Sequence, residues 1–188
     1  MVVHEKALVQ EMKDAYKGWG YTVVLRPGDR WVFKGAGWMV QIHGKENVPR
    51  EVLSLIVLHM GDLPKPESAC RVYKVDTGPA IQKEVFAVVN EEIEKLEELT
   101  GETDADPIRI QRTKLTIGTY RVWQKEENLE IFLMNPAFTR IIESKQTRVV
   151  GDYIFAEGDI SWVYVCREIG AGERAHIENL SQMQWIEK

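Results

Sequence analysis

Residues 21–43 read YTVVLRPGDRWVFKGAGWMVQIH, and their pattern predicts the centre of the fold. Three runs of β-branched and aromatic residues are separated by the segments PGD at 27–29 and GAG at 35–37. Such runs, bounded by Pro, Gly and Asp, are typical of strands joined by tight turns. The stretch therefore predicts a three-stranded antiparallel meander. Its strands are residues 21–25, 30–34 and 38–43.

Two helical patterns flank the meander. Residues 4–17 place apolar side chains at helical spacing, and we expect Gly18 to end this helix in the left-handed conformation. Asn47 and Pro49 offer a cap and a first-turn proline for a second helix over 51–60. Because this second helix, EVLSLIVLHM, is apolar on nearly every face, we expect it to be buried.

The longest helical pattern covers residues 80–99 and follows a predicted strand at 70–75. A stripe of apolar side chains marks its predicted buried face. That stripe consists of Ile81, Val85, Val88, Val89, Ile93 and Leu96. The last third of the helix is almost entirely glutamate, and the helix macrodipole already places partial negative charge at that end. This pattern lowers the stability of the helix.

Strand patterns return after the long helix. Residues 114–123 and 129–134 predict a hairpin, and Asn135 with Pro136 starts a short helix over 137–144. In both halves of the chain, a hairpin thus leads into a helix start that contains Asn and Pro, then a helix and a further strand. This order fits a divergent internal duplication or a chance similarity between two α+β segments.

These patterns together predict an α+β fold, in which antiparallel meanders and hairpins pack with three to four helices. The elements are arranged either as two similar hairpin-helix-strand halves or as one continuous domain. We expect an N-terminal half at 1–100 that ends in the long acidic helix, a polar linker at 101–107, and a C-terminal half at 108–188. The tail at 170–188 fits a strand pair or a short amphipathic helix.

Composition and length are those of a globular protein. The chain has 188 residues, is 44% hydrophobic and 28% charged, and has a formal net charge of -5. No apolar run approaches the about 20 residues that span a bilayer, and the charged N-terminus lacks the apolar region of a signal peptide. We therefore expect a cytosolic protein that binds no membrane, with Cys70 and Cys166 as buried, reduced thiols.

Motifs for metal binding and catalysis do not occur in the sequence. The histidines form no HxH or HxxxH pair and the cysteines form no CxxC pair, so we expect no metal ion and no cofactor. The glycine pairs at 35–37 and 170–172 lack the Lys and Ser or Thr of a phosphate-binding loop. No GxSxG nucleophile motif is present. We expect His59, in the most apolar helix, to be a satisfied core histidine.

The net charge is concentrated in one segment. Residues 91–106 carry eight acidic groups and one basic group, whereas residues 1–90 and 107–188 are nearly neutral. Four of these acidic groups are three or four residues apart, namely Glu91, Glu94, Glu98 and Glu102. They share one helix face if the helix extends that far. The predicted contact groups are Glu91, Glu94, Glu98, Glu102, Asp104 and Asp106.

A row of carboxylates on a rigid helix resembles spaced phosphates. It would be steered toward a strongly basic groove, at a rate that falls with salt. Small acidic inhibitors of phages and mobile elements, including anti-restriction and anti-CRISPR proteins, provide a physical analogy. We therefore predict a non-catalytic inhibitor or regulator of a basic nucleic-acid-handling protein or nucleoprotein complex. The alternative interpretation of the segment is a solvated helix end followed by a polar linker.

Direct nucleic-acid binding is a second class of function. A nucleic-acid binder or clamp-like accessory protein would use the basic and aromatic groups of the meander. These groups are Arg30, Trp31, Lys34 and Trp38. A sequence pI of about 5.5 counts against this class, as does a hairpin whose aromatic side chains point inward. Exposed tryptophans beside a basic patch would favour it.

A small cytosolic enzyme is the third class. Its pocket would lie between the two halves, with His43, His59 or Glu51 contributing to catalysis. A deep polar pocket that contains a histidine with a shifted pKa would favour this class.

Overall fold

The computed structural model describes residues 1–101 and 109–167, together with residue 180 and residues 183–185. The predicted α+β class is confirmed, because these ranges form antiparallel sheets with four α-helices. The helices are α1 (Glu5–Lys17), α2 (Arg50–Met60), α3 (Phe86–Gly101) and α4 (Pro136–Thr139). The strands are β1 (Tyr21–Arg26), β2 (Arg30–Lys34), β3 (Trp38–His43), β4 (Ser68–Val75), β5 (Gly78–Glu84), β6 (Ile110–Ile117), β7 (Tyr120–Lys125), β8 (Ile131–Met134), β9 (Arg148–Val150), β10 (Tyr153–Gly158) and β11 (Ser161–Cys166).

The strands form one large and one small antiparallel sheet. The large sheet has the strand order β5-β4-β1-β2-β3-β11-β10-β9, and the small sheet has the order β6-β7-β8. The predicted meander is confirmed as β1, β2 and β3. Strand β3 pairs with β11, with Met39 opposite Tyr164. Strands from both predicted halves therefore share one sheet, and the division at 101–107 stays a prediction about chain organisation.

The large sheet is covered on both faces. Val23 and Phe33 pack on the face that contacts α1, α2 and the small sheet. Their neighbours Val24 and Val32 pack on the opposite face, against α3. Because successive side chains of a strand point to opposite faces, a sheet buried on both sides needs apolar residues at consecutive positions. This explains the continuous apolar runs of the meander.

Helix α1 begins and ends close to the predicted residues. His4 caps it, since the imidazole Nδ1 accepts a hydrogen bond from the Ala7 amide at 3.2 Å. Gly18 ends the helix, but its φ of -103° is not left-handed, so that part of the prediction is wrong. The positive φ, 87°, belongs to Gly20, where a Cβ would lie 2.6 Å from the carbonyl oxygen of Val72. Gly20 therefore makes the turn into β1.

Helix α2 buries only one face, so the prediction of nearly complete burial is wrong. Ile56 is fully buried, whereas Leu58 is 71% exposed. The predicted cap is wrong as well, because Pro49 occupies the N-cap position and no side chain caps the helix. Asn47 lies in a preceding 3-10 turn, where its side-chain amide donates to the carbonyl oxygen of His43 at 2.7 Å.

The first residues of the predicted long helix are a strand. Residues 78–84 form β5 and pair with β4, with Ile81 opposite Val72. This pairing bonds one side of the segment's backbone to β4 and outweighs the helical spacing of its side chains. Helix α3 therefore begins at Phe86, and half of the predicted apolar stripe is wrong. Buried are Val89, Ile93 and Leu96, whereas Ile81, Val85 and Val88 are exposed.

Elements of the C-terminal segment are shifted from their predicted bounds. The hairpin turn lies at Gly118, φ 57°, so the strand predicted across 114–123 is in fact two strands. The predicted cap of α4 is confirmed, since the Asn135 side chain accepts a hydrogen bond from the Ala137 amide at 2.9 Å. Helix α4 is a single turn and shorter than predicted. Most of the tail at 170–188 lies outside the described residues.

Candidate protein-binding surface

A buried arginine fixes α3 to the large sheet. Arg26 ends β1, and only 1% of its side chain is exposed. Its Nε donates to Asn90 Oδ1 at 2.7 Å, and its terminal nitrogens donate to both carboxylate oxygens of Glu97 at 2.7 and 3.0 Å. It also donates to Gln41 Oε1 at 2.9 Å. Because the planar guanidinium is bonded to three fixed partners, it holds both the position and the rotation of the helix.

Apolar contacts support this attachment along the length of α3. Val89, Ile93 and Leu96 are buried against the sheet. Near the end of the helix, Tyr164 donates from its hydroxyl to the carbonyl oxygen of Leu96 at 3.1 Å. Burial raises the pKa of Tyr164 to about 12, so the hydroxyl keeps its proton for this bond. The rotation of α3 about its own axis is therefore well defined.

This rotation divides the glutamates of α3 into two sets. The anchoring set is Glu92 and Glu97, which pair with Lys34 and Arg26 of the sheet. The outer set lies on the side of the helix away from the apolar stripe, and all of its members are exposed. The outer set consists of Glu91, Glu94 and Glu98.

The outer carboxylates make weak contacts within the chain. Glu91 pairs with Lys95 at 2.7 Å, and this contact lowers the pKa of Glu91. Both side chains of the pair are more than half exposed, so water and salt weaken it. Glu94 accepts a hydrogen bond from the Asn90 amide at 2.7 Å and lies 3.8 Å from Arg26. These carboxylates stay accessible to a partner molecule.

Half of the predicted contact set lies within the described residues. Glu91, Glu94 and Glu98 share one exposed helix face, as the spacing predicts. The other predicted contact groups, Glu102, Asp104 and Asp106, lie outside the described residues. The predicted role of the whole set in binding stays a prediction.

The aromatic residues proposed for nucleic-acid stacking lie in the core. Trp31 is 2% exposed and Trp38 is 3% exposed. Arg30 and Lys34 are half-buried, and Lys34 pairs with Glu92 of α3. Since neither ring face is open to a base, the exposure that would favour direct nucleic-acid binding is not found at these positions.

The candidate catalytic residues do not form one group. His59 is buried, with its Nδ1 2.9 Å from the Tyr21 hydroxyl and its ring stacked on Tyr16 at a centroid distance of 3.8 Å. The prediction of a satisfied core histidine is therefore confirmed. Burial lowers the pKa of His59 and raises the pKa of Tyr21. His43 and Glu51 are exposed and bind neither of these side chains.

Among the described residues, the thiols and the acidic groups form no further site. Cys70 and Cys166 are both partly exposed, so the prediction of two buried thiols is wrong. Partial burial raises the pKa of the Cys70 thiol. Within the described ranges, no three His, Cys, Asp or Glu side chains are grouped to hold a metal ion. None of the helices described in those ranges is long and apolar enough to cross a membrane.

Sequence patterns did not identify the Arg26 attachment. The one available signal is that Arg26 lies two residues after Val24 on the same strand, and so on the same face. Its partners Asn90 and Glu97 are 64 and 71 positions away along the chain. Spacing alone cannot reveal contacts at that separation.

No protein-family model matches the chain, and no curated protein matches it. Among solved structures, the chain is similar to a crystal structure of a protein from Eubacterium rectale designated a DNA polymerase III beta subunit, at 9% identity and a TM-score of 0.34. The similarity covers 87% of this chain and 62% of that protein, so this chain spans less than two thirds of its length. A TM-score this low does not indicate a shared fold.

Proposed function

We propose that this chain is a non-catalytic binding protein whose outer glutamates on α3 contact a basic nucleic-acid-handling protein or nucleoprotein complex. The division of the α3 glutamates into two sets carries the proposal. Glu97 and Glu92 attach the helix, whereas Glu91 and Glu98 face solvent and Glu94 is exposed with a 3.8 Å contact to Arg26. The net negative charge of residues 91–106 adds to the field around this face.

Rigid presentation of the carboxylates favours binding. At 1.5 Å per residue, Glu91 and Glu98 lie about 10 Å apart along the helix axis. The buried Arg26 and the apolar stripe hold the helix that carries these groups in place before a partner arrives, so little backbone entropy is lost on binding. Lys and Arg side chains of a nucleic-acid groove are arranged to meet the spaced negative charges of phosphates. Carboxylates spaced along a fixed helix would meet the same side chains.

Inhibition would follow from occupation of the partner's nucleic-acid groove. The outer face of α3 would compete with phosphates for the same basic side chains, without any chemical step. Acidic anti-restriction and anti-CRISPR proteins are the physical analogy for this mechanism. We place the interaction in the cytosol, where nucleic-acid-handling proteins meet their substrates.

Partner capture from cytosolic extract tests the proposal. The immobilised wild type is compared at low and high salt with a variant that carries Glu91→Gln, Glu94→Gln and Glu98→Gln. We expect a basic nucleic-acid-binding protein on the wild type at low salt, less of it at high salt, and loss of it on the variant. An excess of the nucleic acid that this protein binds should release it. A second variant adds Glu102→Gln, Asp104→Asn and Asp106→Asn.

A matched variant controls for net charge. Glu51→Gln, Glu127→Gln and Glu143→Gln remove the same charge from exposed positions outside α3. This control variant should capture as much of the partner as the wild type. Equal loss from both variants, or capture that does not depend on salt, would show that the outer face of α3 is not the contact surface.

A further inference from the structure

A tryptophan in the turn between α1 and β1 faces solvent. The Trp19 residue is 81% exposed. All six tryptophans of the chain lie in the described residues, and Trp19 alone among them is exposed. Tryptophan is costly to leave in water and is enriched where proteins bind one another tightly. Packing within the chain therefore does not account for a tryptophan at this position.

The backbone of this turn is held on both sides of Trp19. The amides of Gly18 and Gly20 donate to the carbonyl oxygen of Ala15 at 3.0 and 2.7 Å. The carbonyl oxygen of Trp19 accepts a hydrogen bond from Arg71 Nε at 3.1 Å. The backbone at Trp19 is therefore ordered before any partner arrives, which lowers the entropy lost when a partner binds there.

Trp19 borders a groove beside the start of α3. The groove has a volume of about 440 Å³, and the apolar side chains of Ala36 and the 55% exposed Val88 also line it. Two basic and two acidic residues are part of the lining, namely Lys34, Arg71, Glu84 and Glu92. Because these charges balance, they do not select a charged ligand. The apolar parts of the groove favour an apolar side chain instead.

The groove is continuous with the outer glutamates of α3. Val88 lies three residues before Glu91, so the two side chains are neighbours on the helix surface. At 1.5 Å per residue, Val88 and Glu98 lie about 15 Å apart along the helix axis. A partner that lies along the outer carboxylates therefore reaches the groove without a change in either element.

We infer that the groove between Trp19 and Val88 receives an apolar side chain of the basic partner. This role rests on the proposed function, because the outer glutamates bring the partner to α3. The carboxylates set the rate of approach, whereas burial of an apolar anchor against Trp19 slows dissociation. The groove thus selects, among basic proteins, those that carry leucine, methionine or phenylalanine next to their basic residues.

Two synthetic peptides test this role on the full chain. One is octalysine with a leucine at each end, and the other is octalysine with a glycine at each end. Such a peptide spans about 33 Å when extended, enough to cover the outer glutamates and the groove. In calorimetric titration, we expect the leucine peptide to bind the wild type about tenfold more tightly than the glycine peptide.

Variants separate the apolar contact from the charged one. Trp19→Ala should remove the preference for the leucine peptide and leave the affinity for the glycine peptide unchanged. The variant with Glu91→Gln, Glu94→Gln and Glu98→Gln should weaken the binding of both peptides. The matched control is Leu58→Ala, which changes a 71% exposed apolar residue that does not line the groove. It should keep the preference of the wild type.

Quenching of tryptophan fluorescence by acrylamide provides a second readout. The leucine peptide should protect the wild type from quenching, because Trp19 is the exposed tryptophan, whereas the glycine peptide should protect it less. Equal affinity of the two peptides for the wild type, or a leucine preference that Trp19→Ala retains, would overturn the role of the groove and leave the proposed function standing. Unchanged binding of both peptides to the triple glutamine variant would contradict the proposed function, and the role of the groove with it.

Discussion

Replacement of Arg26 by methionine is expected to lower the free energy of unfolding by about 3 kcal/mol. The arginine side chain is 1% exposed and makes hydrogen bonds of 2.7, 2.9, 2.7 and 3.0 Å. Methionine fills a similar volume but leaves the buried Gln41 and the Glu97 carboxylate without this partner. Removing one member of a buried ion pair costs about 3–5 kcal/mol. Glu97 is 29% exposed, so water replaces part of the lost pairing and the expected value is at the lower end.

Denaturant and thermal unfolding measure this loss. For a chain of this size, about 3 kcal/mol corresponds to a decrease in Tm of about 6–12 °C. The double variant Arg26→Met with Glu97→Met should recover part of the loss, because no carboxylate is then left unpaired beneath α3. A loss below about 1 kcal/mol in the single variant would refute the role of Arg26 as the attachment of α3. So would a double variant whose loss of unfolding free energy exceeds the sum of the losses in the two single variants.

Three further predictions concern stability. Burial and the neighbouring Asp14 raise the pKa of Glu11 from 4.5, against the opposing effect of Arg140. The folded state therefore keeps this proton to a higher pH than the unfolded chain does. The wild type should lose stability relative to Glu11→Gln as the pH rises above 4.5, and unfolding at a series of pH values measures this difference. Burial lowers the pKa of His59 from 6.5, so the wild type should lose stability as the pH falls below 6.5, and His59→Phe should show a smaller loss in the same titration. Ile56→Ala should cost about 2–5 kcal/mol and Leu58→Ala less than about 0.5 kcal/mol, since only Ile56 is buried. Equal pH profiles, or equal costs of the two α2 variants, would contradict these expectations.

The strands of the meander were predictable because their signal is local. Each run of β-branched and aromatic residues is bounded by Pro, Gly or Asp, and turn chemistry at 27–29 and 35–37 depends on neighbouring residues alone. The cap of α4 at Asn135 was predictable for the same reason. In each case the deciding contact joins residues close together in the chain.

The bounds of α3 were not predictable, because a contact distant in sequence decides them. Ile81 and Val85 continue the helical spacing of the buried stripe, yet the backbone of 78–84 pairs with β4. The exposed side of α2 is a similar case, since Leu58 is as apolar as the buried Leu55. Apolar residues are common on protein surfaces, so composition alone does not reveal which side of such a helix meets the core.

The carboxylate row was predictable from its spacing, but its division into two sets was not. Helical periodicity places Glu91 and Glu98 on one face. Whether a given glutamate attaches the helix or faces solvent depends on where Arg26 and Lys34 of the sheet lie. Those contacts exist only once the helix has packed on the sheet.

The association rate of the captured partner at increasing ionic strength tests whether the outer glutamates of α3 form the contact surface. The wild type is compared with the outer-set variant, Glu91→Gln, Glu94→Gln and Glu98→Gln, and with the matched control at Glu51, Glu127 and Glu143. We predict a rate that falls steeply with salt for the wild type and the control, and a slower rate with a shallower salt dependence for the outer-set variant. Equal rates and equal salt dependence for the outer-set variant and the control would contradict this prediction.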